Sequence, residues 1–455
     1  MEYSRSELMP GVFLSHLRSD KFKTACMSVN LLTQLRRETA AMNALIPSVL
    51  RRGTQRYPDM EKLSARLDEL YGAAIEPVIR RIGEVHCLGF FASFPEPAFL
   101  PGGEALLGEM SGLMAEMLLS PVTRGGLLLP QYVDSEKEKL LDLIRSRVNE
   151  KRSYAVQRCL EEMCCYEDYA VSRFGDIPEC EAIHYKKLSR YYRELLRKSP
   201  VELFYCGQAR LEAVEEALRD AFAAMPRGEL DFDIGTEIRM NAVEAEPRYF
   251  EEHMDVTQGK LVLGFRLGEC MEDPDRAAIH VFNAVYGSGA TSKLFMNVRE
   301  KLSLCYYASS AVILRKGLMI VSSGISFENF ESAKAEILAQ LEAVKNGEIS
   351  DDELLWAKRA VASDLRASLD SQGELEGWWL SQAVDGDECS PTELAELAEN
   401  VTKEDVMAIA KSVELDMVYF LCGSGEDEEE EDEDEDELYV EQGTGSWRTD
   451  TLPLI

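Results

Sequence analysis

The stretch YGSGATSKLFMNVREKLSLCYYASS, residues 286–310, decides how the rest of the chain is read. It sets a glycine-rich turn ahead of Ser-x-Leu-Phe and then Arg-Glu-Lys-x-x-Leu-x-Tyr. Residues 275–286, just before it, have helical spacing. Residues 306–313, at its end, alternate like a strand with one buried face. A helix, a glycine turn, a basic segment and a strand thus follow one another. Gly287 and Gly289 either shape a loop that contacts peptide or simply make the turn.

Working outward, residues 260–265 and 318–326 are expected strands, and 331–346 and 351–369 long helices. A short helix over 402–413 opens with Thr402 and Asp405 in capping-box spacing, and 417–422 is a last strand. The first half repeats this order. Residues 23–31 alternate like a strand, and 36–50 have helical spacing. Pro58-Asp59 opens a helix through Leu70, with Asp59 as its cap. Strands are expected over 75–79, 86–92 and 201–206. Helical stretches are expected over 104–119, 135–166 and 211–225. Hairpin-like strands with helices gathered in blocks predict α+β lobes, not parallel βαβ units. The expected division is an N-terminal lobe 1–225, a charged linker 226–242, a C-terminal lobe 243–423 and a tail 424–455.

Length and composition agree. At 455 residues the chain exceeds what one core usually serves, and 45% hydrophobic with 29% charged residues is ordinary for a globular protein. No run of about 18 uncharged apolar residues occurs, so no membrane span is expected. The N-terminus lacks an apolar signal core. The formal net charge is −33, and removing the acidic run 426–437 still leaves −21. Such a surface repels phosphate backbones and argues against nucleic-acid binding. The acidic run has no apolar residue to bury and is expected to stay disordered. The 11 cysteines have no C-x-x-C pair, and Cys164 and Cys165 are adjacent. They are expected to be reduced thiols in a cytoplasmic protein.

Two segments carry a family resemblance. LIPSVLRRGTQRYPDMEKLSARLDELYGA, residues 45–73, and the 286–310 stretch resemble the two signature regions of the insulinase/pitrilysin zinc metallopeptidases. Within that family the chain is most similar to the YmfF-type proteins of Gram-positive bacteria, through QGKLVLGFR at 258–266 and a degenerate first signature. The resemblance implies two homologous lobes, each an antiparallel sheet of five or six strands backed by helices. It implies lobes related by duplication and facing a chamber.

Active relatives place H-x-x-E-H on a helix just before the R-G-T turn, two histidines on one helical face holding zinc and a glutamate activating water. Here the positions of that motif fall on Ala44, Pro47 and Ser48. The later glutamate ligand falls on Leu143, with Glu138 and Asp142 nearby. No two of His16, His86, His184, His253 and His280 lie three or four apart, and each is expected to stand alone. Pro47 is expected to kink the helix or start it. The chain is therefore expected to have no metal ligands, no cofactor and no stoichiometric zinc, and to be inactive by itself.

The second signature is kept. By resemblance, Arg299 and Tyr306, with Gly287 and Gly289, are substrate-binding residues that hold peptide and stabilise the tetrahedral intermediate. The plainer alternative makes Arg299 a surface ion pair and Tyr306 a strand residue. The implied function is a non-catalytic subunit of a heterodimer. Its zinc-bearing homologue would cleave a peptide or protein, in a branch linked to modification of elongation factor P. The alternative is a peptide- or protein-binding module without proteolysis.

Overall fold

The computed structural model describes residues 2–239, 242–268 and 273–423, so the acidic tail 424–455 lies outside the described residues. The first half of the chain runs β1 (Glu2–Met9), β2 (Val12–Arg18), β3 (Thr24–Gln34), α1 (Arg37–Leu50), α2 (Met60–Glu69), β4 (Ala74–Ile82) and β5 (Val85–Pro95). It continues through α3 (Leu107–Leu119), the ribbon β6 (Thr123–Arg124) and β7 (Leu127–Leu128), α4 (Pro130–Ser146) and α5 (Lys151–Met163). It closes with α6 (Ile177–Glu181), α7 (Tyr185–Lys198), β8 (Val201–Gly207) and α8 (Leu211–Phe222). The second half begins with β9 (Arg248–Met254), β10 (Gly259–Arg266), α9 (Asp273–Tyr286), the π-helix Leu294–Lys301, β11 (Tyr307–Ile313) and β12 (Leu318–Ile325). It ends with α10 (Phe330–Lys345), α11 (Asp351–Ala367), α12 (Gln372–Asp385), α13 (Pro391–Asn400), α14 (Lys403–Ser412) and β13 (Glu414–Gly423).

These elements form two compact units that exchange segments. One holds Met1–Val148, Cys165–Glu237 and Leu369–Glu388. The other holds Asn149–Cys164, Ile238–Ser368 and, among the described residues, 389–423. The boundary expected at 226–242 therefore follows the chain but not the cores. Each unit contains a helix supplied by the opposite half: α12 in the first and α5 in the second.

In the first unit a six-stranded sheet has the order β1-β2-β8-β3-β5-β4. All neighbours are antiparallel except β2 and β8. Alternation along β3 separates two faces. Ala25, Met27, Val29 and Leu31 enter the main apolar core with Leu45, Leu63, Met110 and Leu218. Cys26, Ser28 and Asn30 point the other way, and α12 covers that side. Its Glu376 is fully buried. Arg80 pairs with Glu376, and Asn30 Nδ2 donates to its Oε1 at 3.3 Å. Gln372 Nε2 donates to the Thr24 carbonyl at 2.8 Å, and Trp379 stacks on Tyr3 with ring centroids 3.5 Å apart.

The second unit's five-stranded sheet has the order β11-β12-β10-β13-β9, with β9 and β13 parallel. Helix α5 packs on β10 and β13. Gly264 permits that approach, because a Cβ there would meet Met163 Sδ at 2.6 Å. The end of α5 is held by charge. Arg248 donates to the Glu162 and Met163 carbonyls at 3.2 and 2.8 Å, and Arg266 to the Met163 carbonyl at 3.3 Å. Cations there satisfy carbonyls that have no partner within the helix and complement its dipole. Buried Asp416 takes both guanidinium groups, Arg266 Nε at 2.7 Å and Arg248 Nη2 at 2.8 Å.

Two local expectations are corrected. Pro47 does not start α1, which begins ten residues earlier at Arg37. The helix runs on through it, and Arg51 N still donates to the Pro47 carbonyl at 3.0 Å. Only the bond from position 47 back to Asn43 is lost. The single helix expected over 135–166 is two. A turn at Arg147–Asn149 intervenes, and Glu150 caps α5 by accepting from Ser153 N at 2.6 Å.

Candidate functional site

Helix α1 holds the good helix formers Ala40, Ala41, Met42, Ala44 and Leu45, with acidic Glu38 in its first turn, and its buried face offsets the poor propensity of Thr39, Asn43 and Pro47. Ala44 and Pro47 are buried, and Ser48 is half-buried. Helix α4 packs against α1, and its Leu143 is half-buried against the same core. A methyl group, a proline ring, one hydroxyl and an isobutyl group cannot make a zinc set, which needs thiolate, imidazole or carboxylate. Glu138 and Asp142 are exposed on α4. The buried carboxylate of that helix, Glu136, is taken by Arg52 Nη1 at 3.1 Å and Lys139 Nζ at 2.8 Å.

Beside this helix lies a buried polar chain. Tyr191 donates to Asn43 Oδ1 at 2.8 Å, and Asn43 Nδ2 donates to His86 Nδ1 at 3.0 Å. That assigns the His86 proton to Nε2. Burial, with the Arg81 and Arg173 cations adding to it, lowers the His86 pKa to about 3. A depressed histidine stabilises the fold above its unfolded pKa of about 6.5 and loses that contribution as pH falls toward the folded value. From pH 7 to 5, His86 should account for about 2 kcal/mol of lost stability. Chemical denaturation at the two pH values, repeated on His86→Gln, checks this. An equal pH slope in wild type and variant would refute it.

The retained segment is built into the second unit. Gly287 N and Ser288 N both donate to the Asn283 carbonyl, ending α9. Gly287 is buried, where a Cβ would meet Ser310 Oγ at 2.4 Å and Leu294 Cδ1 at 2.6 Å. Its role is close packing. Gly289 sits exposed at φ +103°, a turn position that favours glycine. Ser310 donates to Asn283 Oδ1 at 2.6 Å, Lys293 pairs with Glu353 at 2.9 Å, and Asn297 donates to Gln340 at 2.8 Å. The π-helix itself is wide and uncommon, a geometry that recurs at functional sites. Arg299 lies on it over the Phe295 ring at 4.8 Å, with Nε 3.5 Å from Glu300 Oε1. The chain then turns through Ser303, a non-glycine residue at φ +50°, and Ser303 N donates to the Arg299 carbonyl at 3.0 Å. Tyr306 N is fixed to the Gly324 carbonyl at 2.8 Å, yet its side chain is left 62% exposed. Met296 and Leu302 are exposed on the same segment. A hydrogen-bonded backbone thus carries a partly exposed cation, an exposed phenol and two exposed apolar side chains.

Among the described residues, one set of possible metal ligands does come together: Glu251, His253 and Cys422. It escapes a sequence reading because the cysteine lies far along the chain. Only the parallel pairing of β9 and β13 puts Cys422 opposite His253. His253 is exposed and lies on the surface. None of the described helices is long and apolar enough to cross a membrane.

The fold is thus two mostly antiparallel sheets backed by helices, and Ala44, Pro47, Ser48 and Leu143 offer no thiolate, imidazole or carboxylate to a metal. The family profile described as "Peptidase M16 inactive domain" matches residues 182–361. A Bacillus subtilis protein described as "Probable inactive metalloprotease YmfF" is 33% identical over 91% of this chain and 96% of its own length. A conserved protein from Enterococcus faecalis, known from its crystal structure, superposes with a TM-score of 0.85 at 27% identity, covering 94% of this chain and 100% of that one. A protease from Helicobacter pylori shares the fold, with a TM-score of 0.77 at 16% identity over 92% of this chain and 99% of that one. The chain belongs to the insulinase-type peptidase family, as a non-catalytic homologue.

Proposed function

We propose that the chain is the non-catalytic subunit of a two-chain peptidase and presents the Arg299–Tyr306 segment to a peptide held at the zinc of a homologous partner. The asymmetry between the two signatures supports this reading. The metal positions hold Ala44, Pro47, Ser48 and Leu143, whereas the substrate positions still hold Arg299 and an exposed Tyr306. A guanidinium and a phenol opposite a metal are suited to the charge that develops on a scissile carbonyl oxygen. Gly287 and Gly289 serve by shaping that segment. Resemblance to the YmfF-type branch links the pair to modification of elongation factor P, with a peptide or protein as its substrate. It also points to the cytoplasm of a bacterium, in keeping with the free thiols of the described residues.

Affinity capture of the tagged chain from its own cells tests this. A homologue carrying H-x-x-E-H should copurify, and the mixture should cleave peptide while neither chain does so alone. If peptide binds tightly to the chain and no partner supports cleavage, it is a binding module instead.

A further inference from the structure

Helix α7 reads YKKLSRYYRELLRK and carries six cations against one carboxylate, in a chain whose formal net charge is −33. Its apolar side faces the core, where Leu188, Tyr192, Leu195 and Leu196 are buried. Lys186, Arg190, Arg193 and Arg197 are all exposed and follow one another at i, i+4, i+7 and i+11. That spacing gathers them within about 60° of arc and along about 16 Å of the other side of the helix. Lys187 is exposed beside them.

The helix does not neutralise this stripe itself. Its one carboxylate, Glu194, is taken by Lys198 Nζ at 2.7 Å. Among the described residues, no carboxylate lies within ion-pair distance of Lys186, Lys187, Arg190, Arg193 or Arg197. Arg193 Nε donates to the Ser189 carbonyl at 3.1 Å, which neutralises no charge. Like charges three and four residues apart repel along a helix. Lys186 and Lys187 also stand in the first turn, at the positive end of the dipole, with no acidic residue there to offset them. An anionic occupant along this side relieves both.

We propose that the chain's own acidic run, residues 426–437, docks along the exposed side of α7. The run is twelve carboxylates in succession, and only Ser424 and Gly425 separate it from the end of β13. In an extended chain alternate side chains point the same way about 6.6–6.8 Å apart, so three or four carboxylates match the length of the cation stripe. The 14 residues from Ser424 to Glu437 reach about 46–50 Å when extended. Their covalent attachment gives an effective concentration in roughly the millimolar range, which a free anion has to exceed. Other polyanions fit less well. A nucleic acid or an anionic bilayer meets the repulsion of the whole acidic chain, and the apolar side chains of α7 are buried and cannot enter lipid. The docking is independent of the partner reading above.

Zero-length carbodiimide coupling of the full chain, read by mass spectrometry, tests this, because it joins an amine only to a carboxylate in contact with it. An equal mixture of ordinary and nitrogen-15-labelled chains tells links within a chain from links between chains. We expect Lys186 and Lys187 to take the largest share of the links made by 426–437, within one chain. Combining Arg190→Glu, Arg193→Glu and Arg197→Glu leaves both reactive amines in place, yet should cut those links at least about tenfold. Salt at 1 M, where the screening length is about 3 Å, should do the same to the unaltered chain and does not depend on the variant folding. Absence of links at Lys186 and Lys187, an even spread over the other lysines, or links that survive both charge reversal and salt overturns the proposal. Links found only between differently labelled chains overturn it in favour of a second copy.

Discussion

Peptide cleavage by the reconstituted pair should slow about 100-fold when Arg299 becomes Ala, and about 100-fold when Tyr306 becomes Phe, the magnitude for losing one donor to a developing oxyanion. On the proposed reading the larger part of the loss falls on kcat, through the charge that develops on the carbonyl oxygen, and the hold on the peptide adds a rise in KM. Assembly should be unaffected. Arg299 pairs with the neighbouring Glu300 and lies over the Phe295 ring, and an exposed pair of that kind contributes little to stability. Tyr306→Phe keeps the ring and removes one exposed hydroxyl. Steady-state kinetics with co-elution as a control reads both effects. A double variant that cleaves at the wild-type rate would make the segment purely structural.

Asp416→Ala should destabilise the chain by about 3–5 kcal/mol, the usual result of leaving buried charge without its partner. The Asp416 side chain is 0% exposed and takes two arginines. Arg266, 8% exposed, would lose its carboxylate partner, while Arg248 at 24% is closer to water. The same arginines hold the last carbonyls of α5, so the loss spreads to that helix. Arg366→Ala, which breaks an exposed pair with Glu399, should change stability by less than about 0.5 kcal/mol. Urea denaturation of both variants makes the comparison, and equal small effects would refute the role given to Asp416.

Much of the fold is legible in the sequence because its signals are local. Alternation marks β3, and a short apolar run marks β10. Asp59 caps α2 by accepting from Lys62 N, and Thr402 with Asp405 forms the expected capping box. What escaped is non-local. Helix α12 looks mixed because one side meets the polar face of a sheet through Glu376, so its pattern is not that of an amphipathic surface helix. The charged residues around 147–150 continue the helical composition and hide the break between α4 and α5. β1 and β9 are edge strands with exposed alternate residues and little apolar content. For the site, the emptied metal positions could be placed by counting from Gly53-Thr54. That Gly287 serves packing, and that Glu251 and His253 meet Cys422, depends on neighbours remote in sequence.

The exchange of helices bears on synthesis. A ribosome delivers the chain from the N-terminus at about 5–20 residues per second. The first sheet has all its strands once β8 has emerged. Its polar face, with Asn30 and Arg80, must then wait for α12, which is roughly 10–30 s further along at that rate. The nascent first half therefore spends that interval unfinished, and its folding is completed only after most of the second half has been made.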